Sequence, residues 1–265
     1  MLDLFSGIGG FSLGLERAGM RTVAFCEIEP WCRRILARHW PSVPCYTDVR
    51  ELSADRLKAD GIIADVICGG FPCQDISSAG LKLGISGKRS GLWVEYARLV
   101  REIRPRFVIV ENVSALLARG IDTVLGDLAS FGYDAEWHSI SASVVGAPHA
   151  RERIWIIAYP NGDSKPAISE HDEMGRMSAN GDAYAQRWIQ PIALHLARAG
   201  RQQESIPWNE VWPDEDSPMG MGVDDGIPER LDRLRHLGNA VLPQIPEIIG
   251  RAIMTLSTFT QADRS

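Results

Sequence analysis

The chain has 265 residues, of which 45% are apolar and 23% are charged, the composition of a globular protein with a substantial buried core. Its formal net charge of -6 gives no general attraction to polyanions, so net charge alone argues weakly against nucleic acid as a partner. The apolar runs are far too short to cross a membrane and no signal-peptide pattern is present, so we expect a soluble, cytoplasmic protein.

The first 159 residues alternate short apolar runs with helical patterns, which predicts an α/β fold around a mainly parallel sheet. Predicted strands cover residues 2–5, 22–26, 65–68, 107–110 and 153–158. Predicted helices cover residues 30–40, where a proline suits the first turn, and the segment in which apolar residues recur at helical spacing, namely Leu92, Tyr96, Leu99, Val100 and Ile103.

The composition changes after residue 159. Pro, Gly, Asp, Ser and Asn dominate to about residue 226, and residues 160–230 hold 13 acidic against 6 basic side chains. This indicates a separate, irregular module. A short pattern resumes at residue 229, with Gly238-Asn239 as a turn and residues 246–256 as a closing helix.

Residues 2–10, with the sequence LDLFSGIGG, place a strand directly before a glycine-rich turn and a helix. Such a turn either brings backbone amides close to a nucleotide-like ligand or merely makes a tight bend. The dinucleotide fingerprint Gly-x-Gly-x-x-Gly is not completed, so an NAD-dependent oxidoreductase matches poorly. Glu27 and Asp48 follow the next strand-like runs, where they either contact a ribose and an adenine amine or remain solvated loop acids.

Cys73 follows the strand at 65–68 on a loop, Glu111 follows the strand at 107–110, and Arg151 and Arg153 precede the strand at 153–158. A lone cysteine is usually inert, but a thiol, an acid and two arginines at one sheet edge point to a reactive site. The other cysteines form no Cys-x-x-Cys pair, so we predict neither a disulfide framework nor a bound metal.

In this order the motifs resemble those of the DNA cytosine-5 methyltransferase family, in its compact bacterial or prophage type. The residues that carry the resemblance are 3–10, Glu27, Asp48, Pro72-Cys73-Gln74, Glu111-Asn112-Val113, Arg151-Glu152-Arg153 and Leu237-Gly238-Asn239-Ala240-Val241. The similarity covers residues 2–158 and again residues 230–253. Only the irregular segment between them is unmatched.

The resemblance implies an S-adenosylmethionine-dependent methyltransferase (Rossmann-like) seven-stranded sheet with helices on both faces, plus a small irregular target-recognition module. Residues 1–159 would form the catalytic and cofactor-binding domain, residues 160–228 the target-recognition region, and residues 229–265 a segment returning to the catalytic domain. The residues that would hold S-adenosyl-L-methionine are Phe5, Ser6, Gly7, Gly9, Gly10, Glu27, Ile28, Asp48, Pro72, Leu92 and Asn239.

The resemblance also implies the catalytic residues. Cys73 would attack carbon 6 of a flipped-out cytosine, Glu111 would donate a proton to the ring, Arg153 would grip its O2, and Arg151 would hold the loop or a phosphate. Residues 77–91 look like a mobile loop that closes on duplex DNA, and the expected contacts are Gln74, Ser77, Lys82, Lys88 and Arg89.

Two alternatives stay open at this level. A related branch acts on tRNA with the same chemistry, and a cofactor-binding DNA or regulatory module without turnover would share the same motifs. His149 stands where the commonest family pattern has glutamine, and we assign it no role. We expect a monomer, either in a restriction-modification setting or as a phage enzyme, and the acidic recognition segment suggests weak specificity or dependence on a protein partner.

Overall fold

Strands and helices alternate along the chain from its first residues. The computed structural model describes residues 1–72, 91–147, 149–161 and 240–262. The elements in chain order are β1 (Leu2–Leu4), α1 (Gly10–Arg17), β2 (Ala24–Cys26), α2 (Pro30–His39), β3 (Cys45–Tyr46), α3 (Ala54–Ala59), β4 (Val66–Gly69), α4 (Leu92–Ile103), β5 (Phe107–Val113), α5 (Leu116–Arg119), α6 (Ile121–Ser130), β6 (Tyr133–Ser141), a 3-10 turn (Ala142–Val145), β7 (Glu152–Pro160) and α7 (Gln244–Ala262).

The described strands form one seven-stranded sheet in the order β3-β2-β1-β4-β5-β7-β6. Strands β1 to β5 run parallel, whereas β7 is antiparallel to β5 and β6 is antiparallel to β7. All four residues of β4 and the first six of β5 are buried, as expected for parallel strands covered on both faces. The predicted α/β fold is confirmed.

Each face of the sheet has its own core. Helices α3 to α6 cover one face, where Trp93 and Tyr96 of α4 are fully buried. Helices α1 and α7 cover the other face and pack closely, since a Cβ at Gly250 of α7 would lie 2.7 Å from the Cβ of Ala18. Each buried Leu or Ile on these faces contributes about 1.5–3 kcal/mol relative to an exposed one. Among the described residues, no helix has both the length and the apolarity to cross a membrane.

Local sequence explains where the helices begin and end. Pro30 occupies the first turn of α2, where its missing N–H costs nothing. The Ser53 side chain caps α3 by accepting from the amide of Arg56. Helix α4 buries residues at i, i+3, i+4, i+6 and i+7 from Trp93, and it ends where Arg104 adopts the left-handed conformation with φ 56°.

Two predicted elements ended three or more residues too early, and one strand was missed. The strand expected at 107–110 continues to Val113, because β7 pairs with it as far as Arg153. The closing helix expected at 246–256 runs from Gln244 to Ala262. Strand β6 was not predicted at all, although it is nine residues long and is an outermost strand of the sheet.

Candidate active site

Most of the described candidate residues lie at one edge of the sheet. The carboxyl ends of the parallel strands meet there, and the antiparallel β7 begins there. Ligands of open α/β sheets bind outside this edge. Four of the segments that carry candidates follow β1, β2, β3 and β4. Two others lie at the end of β5 and around the start of β7. Together these segments hold Phe5, Ser6, Gly7, Gly9, Gly10, Glu27, Ile28, Asp48, Pro72, Glu111, Arg151 and Arg153.

The glycine turn after β1 is open on one side and packed on the other. A Cβ at Gly7 would meet nothing within 4 Å, so this residue faces open space. At Gly9, with φ 89°, a Cβ would lie 2.6 Å from the Trp40 ring, and at Gly10 it would collide with the Val241 carbonyl. Gly9 and Gly10 therefore allow close packing, which supports the plain structural interpretation for these two glycines.

Phe5 and Ser6 introduce the turn. Phe5 adopts φ 54°, which is uncommon for a residue with a side chain, and its ring stacks on Tyr96 with centroids 6.5 Å apart. The Ser6 hydroxyl donates to the Asp3 carbonyl at 2.6 Å and is buried. The Ser6 side chain thus braces the strand end, so a ligand at this position would meet backbone.

Glu27, directly after β2, binds two backbone amides of the site. Its two carboxylate oxygens accept hydrogen bonds from the amides of Gly7 at 2.7 Å and Glu29 at 2.8 Å. The carboxylate therefore ties the glycine turn to the start of α2. The neighbouring Ile28 is 56% exposed, which is unusual for an isoleucine and leaves an apolar surface beside the carboxylate.

Asp48 lies two residues after β3 and is engaged by Arg50. The Arg50 guanidinium donates to both carboxylate oxygens, with its shortest contact at 2.6 Å, and the Arg50 amide donates to Oδ1 at 2.9 Å. These hydrogen bonds hold the pKa of the Asp48 carboxyl below its usual range. Asp48 is therefore a fixed, ionised acceptor at the edge.

Glu111, near the end of β5, is a buried acid paired with a cation. Its carboxylate Oε1 lies 3.0 Å from Nε of Arg153, and the Glu111 side chain is only 11% exposed. A Cβ at Gly70 would lie 2.8 Å from Glu111 Oε2, so the loop after β4 passes directly over the carboxylate. Burial raises the pKa of the Glu111 carboxyl, against the opposing charges of Arg153 and Arg151.

Arg151 stands between the 3-10 turn and β7. Its carbonyl accepts a hydrogen bond from the Ala142 amide at 2.9 Å, which fixes the backbone there. Burial and then repulsion from Arg153 lower the pKa of the Arg151 guanidinium. Both arginines face the Glu111 side of the edge, whereas His149 is exposed.

Asn112 links β5 to the loop that leads towards Cys73. Its side-chain amide donates to the Phe71 carbonyl at 3.1 Å, and its side-chain oxygen accepts from the Val113 amide at 2.8 Å. Neither Asn112 nor Gly70 was predicted from the sequence to have a separate role. The sequence pointed to these two residues only through their positions, Gly70 near Cys73 and Asn112 next to Glu111.

Several predictions fall outside the described residues. These are the roles of Cys73, Gln74, Ser77, Lys82, Lys88, Arg89 and Asn239, and the recognition segment from residue 162 to residue 228. Pro72 is the last described residue before Cys73. Leu92 opens α4, is half-buried and packs against the core on that face.

The described edge therefore combines two sets of groups. One set is an open glycine turn beside two fixed carboxylates, which suits hydrogen bonding to the hydroxyls and amine of a nucleoside. The other set is a buried acid of raised pKa beside two arginines, which can donate a proton and hydrogen bonds to a planar heterocycle.

The chain is similar in sequence to known methyltransferases. A sequence profile of the family described as C-5 cytosine-specific DNA methylase matches residues 1–193. The Type II methyltransferase M2.BsuMI of Bacillus subtilis (strain 168) is 32% identical over 222 residues, which cover 78% of this chain and 54% of that relative. The chain spans about half the length of the curated relatives it matches.

Solved structures agree on the fold. A prophage protein of E. coli, described as a candidate DNA modification methyltransferase, is 33% identical with a TM-score of 0.52, covering 60% of this chain and 46% of that chain. The S. pombe Dnmt2 methyltransferase is 16% identical with a TM-score of 0.54, covering 100% of this chain and 98% of that chain, and supports the fold alone. Because the family profile matches most of its length, the chain belongs to the C-5 cytosine-specific DNA methylase family.

Proposed function

We propose that this chain is a DNA (cytosine-5-)-methyltransferase that transfers a methyl group from S-adenosylmethionine to carbon 5 of a cytosine in duplex DNA. One observation carries the proposal: Glu111 is buried, paired with Arg153 at 3.0 Å, and lies directly against Gly70, three residues before Cys73. A buried acid of raised pKa and a fixed cation beside a cysteine are the groups that this chemistry needs.

Cys73 is the proposed nucleophile. Carbon 5 of cytosine is a poor nucleophile because the ring is aromatic. When the Cys73 thiolate forms a bond to carbon 6, the electron pair of the ring double bond becomes available at carbon 5. After carbon 5 is methylated, a water molecule takes its proton, the sulfur–carbon bond breaks and the thiolate leaves. N3 returns its proton to Glu111 as the ring regains aromaticity.

Glu111 and the arginines stabilise the attacked ring. Glu111 donates a proton to N3 as charge develops there, and its raised pKa keeps it protonated at higher pH than an exposed glutamate. Arg153 holds the carboxylate in place and donates to O2 of the cytosine. Arg151, whose carbonyl is bonded to the Ala142 amide, supports the loop before β7.

The described residues fit S-adenosylmethionine, which supplies the methyl group when bound. The open face of Gly7 admits a ligand, and Glu27 presents a fixed carboxylate beside it for ribose hydroxyls. The exposed Ile28 offers an apolar surface to the adenine ring, and Asp48 accepts from its amine. The other proposed contacts are Phe5, Ser6, Gly9, Gly10, Pro72, Leu92 and Asn239.

A cytosine stacked in a duplex cannot reach this edge, so we propose that it is flipped out into the site. The proposed DNA contacts are Gln74, Ser77, Lys82, Lys88 and Arg89, with residues 160–228 reading the target sequence. The names of bacterial Type II relatives support a restriction-modification or phage setting and action in the bacterial cytoplasm. We propose a monomer, with a protein partner if the short recognition segment does not suffice.

The test is methyl transfer with an identified product. Wild type, Cys73→Ala and the control Cys32→Ala are incubated with tritiated S-adenosylmethionine and duplex DNA of mixed sequence, and the DNA is digested to nucleosides. Cys32 is buried in α2 and has no proposed role in the reaction, so it controls for the loss of a thiol. We expect label in 5-methyldeoxycytidine with wild type and Cys32→Ala only.

Two other outcomes would contradict the proposal. Label in tRNA and not in DNA would identify the tRNA branch of the chemistry. Cofactor binding without transfer to either nucleic acid would indicate a module without turnover.

A further inference from the structure

The segment between β3 and α3 carries Asp48 and belongs to no helix or strand. A short connection of this kind needs partners for its carbonyls and a reason to keep one conformation. Val49 and Leu52 anchor it by apolar burial, since they are 5% and 2% exposed in the core under α4. Besides the local hydrogen bonds around Asp48, it is restrained from outside by one arginine of α4.

Arg98 binds two carbonyls of this segment. Its Nη2 donates to the Val49 carbonyl at 3.0 Å and to the Leu52 carbonyl at 2.8 Å. These carbonyls lie one and four residues after Asp48, so both restraints fall on the stretch that leaves Asp48. The partners are 49 and 46 residues away in sequence, which makes this a tertiary contact between α4 and the segment.

Two acids of α4 hold the guanidinium in place. Arg98 Nε donates to Glu95 at 2.7 Å, and Arg98 Nη1 donates to Glu102 at 2.9 Å. Glu102 also accepts from the amide of Ala54, the first residue of α3, at 3.1 Å. The Arg98 side chain is 24% exposed, so solvent screens this cluster only in part.

The geometry suits arginine and no other residue. A guanidinium offers five donors in a rigid plane, and here three of its nitrogens serve four acceptors at once. A lysine at this position has a single nitrogen and would serve fewer of them. The hydrogen bonds of Arg98 therefore restrain both the position and the orientation of the segment between β3 and α3 relative to α4.

Helix α4 also begins with Leu92, six residues and about 9 Å along the helix axis before Arg98. Leu92 and Asp48 are both proposed walls of the cofactor site. Arg98 thus joins the segment that carries one wall to the helix that carries the other.

We propose that Arg98 is a positioning residue for S-adenosylmethionine: it acts through Asp48 and touches neither cofactor nor cytosine. The inference rests on the proposed function, because it assumes that Asp48 receives the adenine amine. Without Arg98 the segment loses two restraints, and Asp48 spends less time where the adenine amine can reach it. Binding weakens, while the rate at saturating cofactor stays unchanged because Glu111 and Arg153 lie elsewhere along the edge.

The experiment measures binding of S-adenosylhomocysteine to the full chain by calorimetry, at a temperature well below unfolding. The variants are Arg98→Gln, Arg98→Lys and the control Arg101→Gln, an exposed arginine on the same helix. We expect Kd to rise about tenfold for Arg98→Gln, less for Arg98→Lys, and less than twofold for Arg101→Gln, in keeping with the loss of about one net hydrogen bond. We expect kcat at saturating S-adenosylmethionine to stay within twofold of wild type for all three.

A double-mutant cycle separates positioning from general destabilisation. In an Asp48→Asn background, Arg98→Gln should change Kd by less than twofold, because the contact through which it acts is already impaired. A tenfold effect that persists in this background would overturn the inference.

The inference and the proposed function fail differently. If wild type binds S-adenosylhomocysteine and folded Arg98→Gln binds it equally well, the inference is wrong and the proposed function stands. If wild type does not bind it at all, both are wrong. Should Arg98→Gln fail to fold, Arg98→Lys decides: wild-type affinity overturns the inference, and a reduced affinity with unchanged kcat supports it.

Discussion

Raising the pH should destabilise this protein through one buried carboxyl, that of Asp3 in β1. Asp3 is fully buried and its Oδ2 accepts a hydrogen bond from the Ser12 hydroxyl at 2.7 Å, whereas its Oδ1 has no partner among the described residues. Burial raises the pKa of Asp3 from 3.8 to about 8, although the hydrogen bonds from Ser12 oppose the change.

The sign of the effect follows from proton uptake on folding. Because the folded pKa lies above the unfolded one, the folded protein holds a proton that the unfolded chain releases between those values. The stability is therefore fully present below about pH 4 and is lost progressively as the pH rises towards 8. At about 1.4 kcal/mol per pH unit, the loss between pH 5 and pH 8 is about 4 kcal/mol.

The assay is urea unfolding at pH 5, 6, 7 and 8 on wild type and Asp3→Asn. Asparagine keeps an oxygen that can accept from Ser12 and removes the titration. The free energy of unfolding of wild type should therefore fall about 4 kcal/mol more than that of Asp3→Asn over this range. Glu111 also has a raised pKa, but it is present in both proteins and adds the same slope to each. Equal slopes would refute the reasoning.

Three further predictions concern the proposed active site. Gly70→Ala places a methyl group 2.8 Å from Glu111 Oε2, so initial rates of methyl transfer should fall about tenfold to a hundredfold as the loop moves. Asn112→Ala leaves the Phe71 carbonyl without its donor, which should cost about 1–3 kcal/mol in urea unfolding. Glu111→Gln cannot transfer a proton, so the rate should fall about a hundredfold or more. We expect the wild-type rate to decline at high pH as Glu111 loses its proton, and we expect this decline to be absent in Glu111→Gln.

The strands that the sequence predicted are those with covered faces. β4 and the first four residues of β5 are continuous apolar runs because helices pack on both sides of them. The predicted end of β5 was three residues short, since Glu111 and Asn112 are polar residues inside a buried strand. β6 was missed because it pairs with a single neighbour and its buried residues do not alternate regularly.

The candidate site, like the fold, was predictable only in part. The sequence predicted that four charged residues lie at the same end of the sheet, because each stands just after a predicted strand or at the start of one. They are Glu27, Asp48, Glu111 and Arg153. The supporting contacts were not predictable. Asn112 and Phe71 are 41 residues apart, and Arg98 reaches carbonyls 46 and 49 residues away, so sequence spacing carries no trace of either contact.

The most direct test of the account is covalent trapping on duplex DNA that contains 5-fluorocytosine, in the presence of S-adenosylmethionine. Fluorine at carbon 5 cannot leave as a proton, so the bond between sulfur and carbon 6 would persist. We predict a protein–DNA complex that survives denaturation, with Cys73 as the linked residue on peptide mapping and no complex with Cys73→Ala. A complex linked through another residue, or the absence of any complex with a folded, cofactor-binding wild type, would contradict the account.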